Sequence, residues 1–153
     1  MSETSISVKR TIDAGTPAVF DVLSNPNRHP QIDGSGSVVS VDTGDRITAV
    51  GQSFRMNMNH SIQGGDYQTD NVVTGYQENH LLAWQTATAD TEPPGWEWVW
   101  RLEADGPDST TVTLTYDWSK VDDPALVEKI GFPLIPASDL ESTLDGLASA
   151  VAG

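Results

Sequence analysis

Between Trp96 and Trp118 apolar and polar side chains alternate almost one by one. Trp96, Trp98, Trp100 and Leu102 form one set, with Glu97, Val99 and Arg101 between them. Val112, Leu114, Tyr116 and Trp118 form a second set, separated by Thr113, Thr115 and Asp117. A period of two is that of a β-strand with one buried face. Asp105-Gly106-Pro107-Asp108 lies between the two runs and is a hairpin signal. The two strands therefore present one broad aromatic wall. Each indole brings a large apolar area and one N–H donor, so the wall is either filled by the protein itself or covered by a ligand.

The same reasoning extends along the chain. Ser5 to Ile12 reads as a strand with Ile6, Val8 and Ile12 on one face. Thr16 followed by Pro17 predicts a capped helix start, and Ala18, Val19, Val22 and Leu23 give that helix an apolar face. Asn25-Pro26 repeats the signal and predicts a second short helix, ended by His29-Pro30 and Gly34-Ser35-Gly36. Strands follow over Ser37 to Asp42, Gln52 to His60 and Gln68 to Glu78, the last with an ambiguous face because Val72 and Val73 are adjacent. A tight turn at Glu78-Asn79-His80 leads into Leu82, Trp84 and Thr86, and Glu92 to Gly95 turns into the tryptophan strand. Thr110 to Ser119 is the last strand of an antiparallel sheet.

Beyond it the period changes. Asp123-Pro124 opens a short helix that Gly131 stops, and Phe132 to Pro136, with two prolines, cannot be regular helix. Ser138 and Glu141 stand at capping-box spacing. Leu140, Leu144, Leu147 and Val151 then recur on one face of an amphipathic terminal helix. That stripe needs an apolar partner, and the tryptophan face is the large apolar surface available.

The 153 residues suggest a single domain, 1–153, with 37% hydrophobic residues and five Trp compensating for modest aliphatic mass. Asp and Glu number 22 against 8 Lys and Arg, a net charge of −14. That balance argues against nucleic acid and anionic membrane surfaces as partners. It is compatible with a high-salt habitat or with codon bias. No cysteine is present, so disulfides and thiolate chemistry are out of reach. The polar start, Met1-Ser-Glu-Thr-Ser5, lacks signal-peptide order, and no stretch is long and apolar enough to span a bilayer. The expectation is a cytoplasmic protein that does not insert into membranes.

The order strand, two short helices, six strands, long helix resembles the helix-grip fold of the START/polyketide-cyclase (SRPBCC) superfamily. The local text agrees: Ile12-Asp-Ala-Gly-Thr-Pro-Ala-Val-Phe20-Asp-Val-Leu23 at the first strand-to-helix junction, Arg28-His-Pro-Gln-Ile-Asp-Gly-Ser-Gly36, Phe54-Arg-Met-Asn-Met58, Leu82-Ala-Trp84 and Asp117-Trp-Ser119. The third-, fourth- and fifth-named runs are degenerate individually, and their order is the specific part. The resemblance implies an α+β fold: a curved seven-stranded antiparallel sheet wrapped around the C-terminal helix, with two short helices after strand 1 and an apolar cavity between. It implies no single activity, since relatives include carriers, cyclases, hydrolases and co-chaperones.

The candidate ligand-lining residues are Phe54, Met56, Met58, Trp84, Trp96, Trp98, Trp100, Tyr116, Trp118, Phe132, Leu140 and Leu144. The alternative is that the five tryptophans simply pack beneath the terminal helix. His29 and Asp33 are candidates for proton transfer at a pocket mouth, or else hold their loop by bonds to backbone. His60 and His80 read as surface residues near strand ends. Three scattered histidines and no HExxH spacing predict no metal site, and no cofactor motif is present. Arg55 and Arg101 fall on the outer face, with Glu97, Glu103 or Asp117 as expected partners. Phe132 to Pro136 reads as a lid hinge or as a rigid connector. The expected function is binding or transport of a small hydrophobic, lipid- or polyketide-like ligand. A cyclase or dehydratase-type enzyme and a ligand-free partner-binding module are the alternatives; oligomeric state is not legible.

Overall fold

A computed structural model describes residues 5–32, 38–44, 46–60, 65–88, 95–119 and 137–152. In order they form β1 (Ser5–Ile12), α1 (Thr16–Leu23), a 3-10 turn (Pro26–Arg28), α2 (His29–Ile32), β2 (Val38–Thr43), β3 (Ser53–His60), β4 (Gly65–Gln77), β5 (Leu81–Thr88), β6 (Glu97–Gly106), β7 (Ser109–Asp117) and α3 (Ala137–Ala152). The seven strands make one antiparallel sheet in the order β1-β7-β6-β5-β4-β3-β2. Strands β2 to β7 meander, and β1 closes the far edge against β7. This is an α+β helix-grip architecture, with two short helices after the first strand as the residue pattern predicts.

Directly paired residues of antiparallel strands project to the same face, so the register maps the inner surface row by row. One row runs Tyr76, Leu82, Trp100, Leu114, Val8. The next runs Val73, Trp84, Trp98, Tyr116, Ile6. Phe54, Asn71 and Thr86 make a third, and Met56 with Thr69 a fourth. A bulge between Val73 and Gly75 resolves the ambiguity at Val72-Val73: Val73 is buried and Val72 is not.

Leu140, Leu144, Leu147 and Ala150 bury the inner stripe of α3. The helix packs chiefly on α2 and β1, and also on α1 and β7. The rings of Trp84 and Phe54 are instead met by His29 of α2, so the short helices share the covering role expected of α3 alone.

Several local readings need correction. Gly15, not Thr16, is the N-cap of α1; a Cβ there would lie 2.7 Å from the Pro107 carbonyl oxygen, so the tight approach of the β6–β7 hairpin selects glycine. Pro30 does not end the second helix, which continues to Ile32. A proline is tolerated in a first turn, where its missing N–H is not needed. The preceding turn is capped by Asn25, whose side-chain oxygen accepts from Asn27 N at 3.1 Å. Helix α3 begins at Ala137, which places Ser138 inside its first turn rather than at the cap. The helix expected after Pro124 and the segment Phe132 to Pro136 lie outside the described residues.

On the outer face Arg55 pairs with Asp70, not with Glu97, Glu103 or Asp117. Nε–Oδ1 and Nη2–Oδ2 distances are 2.7 and 3.0 Å. The reason is strand order: β3 lies beside β4, where Asp70 is directly opposite Arg55, and far from β6. Arg101 is exposed on that face, opposite Thr113. Among the described residues no helix is long and apolar enough to cross a membrane.

Candidate functional site

The inner face is lined by linked rings. The His29 imidazole stacks on the Trp84 indole at 5.1 Å between centroids and 17° between planes. Phe54 meets His29 and Trp84 edge-on, at 5.4 and 5.6 Å. Trp84 lies 6.3 Å from Trp100 in a tilted arrangement. A second group forms around Tyr116, which stacks on Trp98 at 4.4 Å and lies 5.5 Å from Trp118. The cross-strand pairs Trp84–Trp98 and Trp98–Tyr116 join the two groups. The alternation that aligned these residues in the sequence thus brings them onto one surface.

Trp84, Trp100, Tyr116, Trp118, Phe54, Met56, Leu140 and Leu144 are all buried, while Met58, Trp96 and Trp98 are half-buried. Phe132 and Asp33 lie outside the described residues. Burial pushes the Tyr116 phenol well above its ordinary pKa of 10.0. His29 is buried, and its Nε2 lies 2.7 Å from the Leu23 carbonyl oxygen. The acceptor is a carbonyl, so this nitrogen carries the hydrogen and donates. His80 is exposed at the β4–β5 turn, where Asn79 takes a positive φ of 64°.

Two polar features of this face were not singled out by residue pattern. The first is Trp100: its indole N–H is buried and meets no acceptor among the described residues. An unmet buried donor costs about 1–3 kcal/mol. The second is a polar patch in the third and fourth rows. Asn71 donates to the Phe54 carbonyl and to Thr69 Oγ1, both at 3.3 Å, and accepts from Thr86 Oγ1 at 2.7 Å. The Thr69 hydroxyl receives the Asn71 amide and keeps its own hydrogen for another acceptor. Asn71 and Thr69 are both buried. Their inward direction was hidden by the Val73–Gly75 bulge, which breaks the alternation that would have shown it.

An open groove of about 450 Å3 lies elsewhere, lined by Val39, Asn57, Met58, Asp66, Tyr67 and Gln68. Its polar side chains are engaged with neighbours: Asn57 donates to Ser40, Gln68 donates to Asn57, and Asp66 accepts from Asn59. It is a fold of the β2–β4 edge and does not reach the ring cluster. Among the described residues no three His, Cys, Asp or Glu side chains gather as a metal site would require.

A seven-stranded antiparallel sheet, helices on its inner face and an aromatic lining between them define a START-type helix-grip fold. The structure superposes on a START superfamily protein from Mycobacterium smegmatis with a TM-score of 0.64 and 17% identity, covering 98% of each chain. It also superposes on the ZhuI aromatase/cyclase from Streptomyces sp. R1128, with a TM-score of 0.67 and 12% identity, covering 97% of this chain and 93% of that one. At these identities the likeness carries the fold and not the chemistry. Residues 13–152 match the Activator of Hsp90 ATPase homolog 1-like proteins, and the chain belongs to that family, AHSA1. The protein Rv0088 of Mycobacterium tuberculosis, described as uncharacterized, is 29% identical over 147 residues. The match covers 92% of this chain and 62% of that protein, so the chain spans about three fifths of its relative's length.

Proposed function

We propose that this chain binds a small hydrophobic molecule between the inner face of its sheet and the covering helices. The observation that carries the reading is the Trp100 N–H, which meets no acceptor among the described residues inside a ring-lined interior. A packed core built only for stability gains nothing from a buried donor without an acceptor, whereas a guest carrying one satisfies it. The driving force is burial of apolar guest surface, roughly 25 cal/mol per Å2 before ordering costs. The aromatase/cyclase among the structural neighbours is compatible with a ring-bearing guest.

Binding is favoured over catalysis by His29, whose Nε2 is held by a backbone carbonyl rather than turned toward a reacting group. It is favoured over a partner-ATPase role by the outer surface. There the large hydrophobics exposed among the described residues are Val39 and Val50, too little area for an apolar docking patch.

Native mass spectrometry of the protein purified from its own host tests the proposal. A retained neutral mass that is released on unfolding is the expected result. Protein that carries no guest and gives no calorimetric signal with apolar ring compounds would overturn it.

A further inference from the structure

We infer that the guest is an uncharged, flat ring system bearing a hydrogen-bond acceptor, such as a ring ketone, received by the Trp100 indole N–H. The inference rests on the binding reading above and specifies its ligand class. It follows from what the inner face offers and what it lacks.

The offer is donors. Trp100 presents an N–H with no partner among the described residues, and Thr69 presents a hydroxyl hydrogen beside Asn71. What is lacking is charge. The buried polar side chains among the described residues are Ser24, His29, Thr69, Asn71 and Thr110, and none is a carboxylate, lysine or arginine. Thr110 donates to the Ala14 carbonyl and Ser24 accepts from Arg46, so both are committed to the frame. The His29 Nε2 is held by Leu23.

The nearby guanidinium groups are also committed. Arg10 pairs with Asp145, Arg28 donates to Gln31 and to the Ala150 carbonyl, and Arg55 holds Asp70 on the opposite face. A guest carboxylate would lose its hydration with no buried cation among the described residues to replace it, and a guest ammonium would find no buried carboxylate among them. A pure hydrocarbon would leave the Trp100 donor unmet. The guest that fits is neutral and brings an acceptor oxygen. Flatness follows from the walls: His29 with Trp84, and Trp98 with Tyr116, are near-parallel ring pairs at 17° and 14°, a geometry that a planar guest extends.

Three probes of one shape separate the possibilities: 9-fluorenone, fluorene and fluorene-9-carboxylate, titrated calorimetrically into the full chain. The expected order is ketone tightest, hydrocarbon roughly tenfold weaker and carboxylate weakest. Trp100→Phe removes the N–H while keeping a ring. It should close the gap between ketone and hydrocarbon. Equal binding of ketone and hydrocarbon to the unaltered protein overturns the acceptor inference and leaves the binding reading standing. A carboxylate that binds as tightly as the ketone overturns the inference that the guest is uncharged and likewise leaves the binding reading standing. If none of the three binds, both readings fall. The ranking is measured on the unaltered chain, so it decides the matter even if Trp100→Phe folds poorly.

Discussion

Gly146 of α3 touches the backbone of Ile32 in α2. A Cβ at position 146 would stand 2.5 Å from the Ile32 carbonyl oxygen and 3.0 Å from its C and Cα atoms. The two helices therefore meet main chain to main chain, closer than any side chain permits. Arg28 reinforces the junction by donating from Nη2 to the Ala150 carbonyl at 3.1 Å, near the last turn of α3, where a cation also suits the helix dipole.

Gly146→Ala is accordingly expected to destabilise the fold by about 1–3 kcal/mol, the usual cost of overpacking a contact with no slack. At an exposed helical site the same change would stabilise by roughly 0.5–1 kcal/mol, so the sign alone is diagnostic. Urea unfolding followed by tryptophan fluorescence measures it. A variant more stable than the parent would show that the helices do not meet this closely.

Two arginine–aspartate pairs should differ in worth. Arg55–Asp70 is bidentate, and its side chains are only 27% and 25% exposed. Arg10–Asp145 ties β1 to α3 with side chains 44% and 67% exposed. Double-mutant cycles should give a coupling of about 1–2 kcal/mol for the first pair. For the second, under about 1 kcal/mol is expected, largely lost in molar salt. Equal couplings, or a first pair as salt-sensitive as the second, would contradict the assignment.

The strands were legible because one face of each is buried, and burial on one face writes a period of two into the residues. The row holding Trp84, Trp98 and Tyr116 could be read for that reason. Relationships set by distant contacts were not. Gly146 sits in an ordinary amphipathic stretch, and its reason for being glycine lies on another helix. Arg55 could be placed on the outer face, but its partner depends on strand order, which alternation does not encode. Arg10 stands in the same inward row as Val8 and Ile12 yet was passed over, because a charged residue at a sheet edge reads as outward-facing until its partner Asp145 is known. The aromatic part of the site was visible in the residue pattern. Its polar part, Asn71, Thr69 and the unmet Trp100 N–H, required the register.

Tyr116 carries a pH prediction. Its folded-state pKa is raised above the unfolded value of 10.0 because burial disfavours the phenolate. A raised pKa means the folded chain holds this proton more tightly than the unfolded one. The contribution is complete below pH 10 and is lost as pH climbs above it, at up to about 1.4 kcal/mol per pH unit while Tyr116 stays protonated in the fold. Stability of the parent should therefore fall more steeply above pH 10 than that of Tyr116→Phe, measured by urea midpoints from pH 8 to 11. Parallel curves would place the phenol in contact with solvent.

His29 gives the sharpest separation between a structural and a catalytic role. Its ring is sandwiched with Trp84 and edged by Phe54, and its Nε2–H satisfies the Leu23 carbonyl at the end of α1. His29→Phe keeps an aromatic ring in that slot and removes the donor. The Leu23 oxygen then loses this partner, and the expected loss is about 1–3 kcal/mol of stability. His29→Ala should cost more, since a cavity is added beside Trp84. His29→Phe, examined below its unfolding midpoint, should retain affinity for a neutral ring guest within a few-fold, because a ring still stands against Trp84. A catalytic base behaves in the opposite way: turnover disappears while the melting temperature barely moves. Thermal unfolding and calorimetric titration of the same two variants distinguish these patterns, and a stable His29→Phe protein with abolished activity would convict the imidazole as chemistry rather than scaffold.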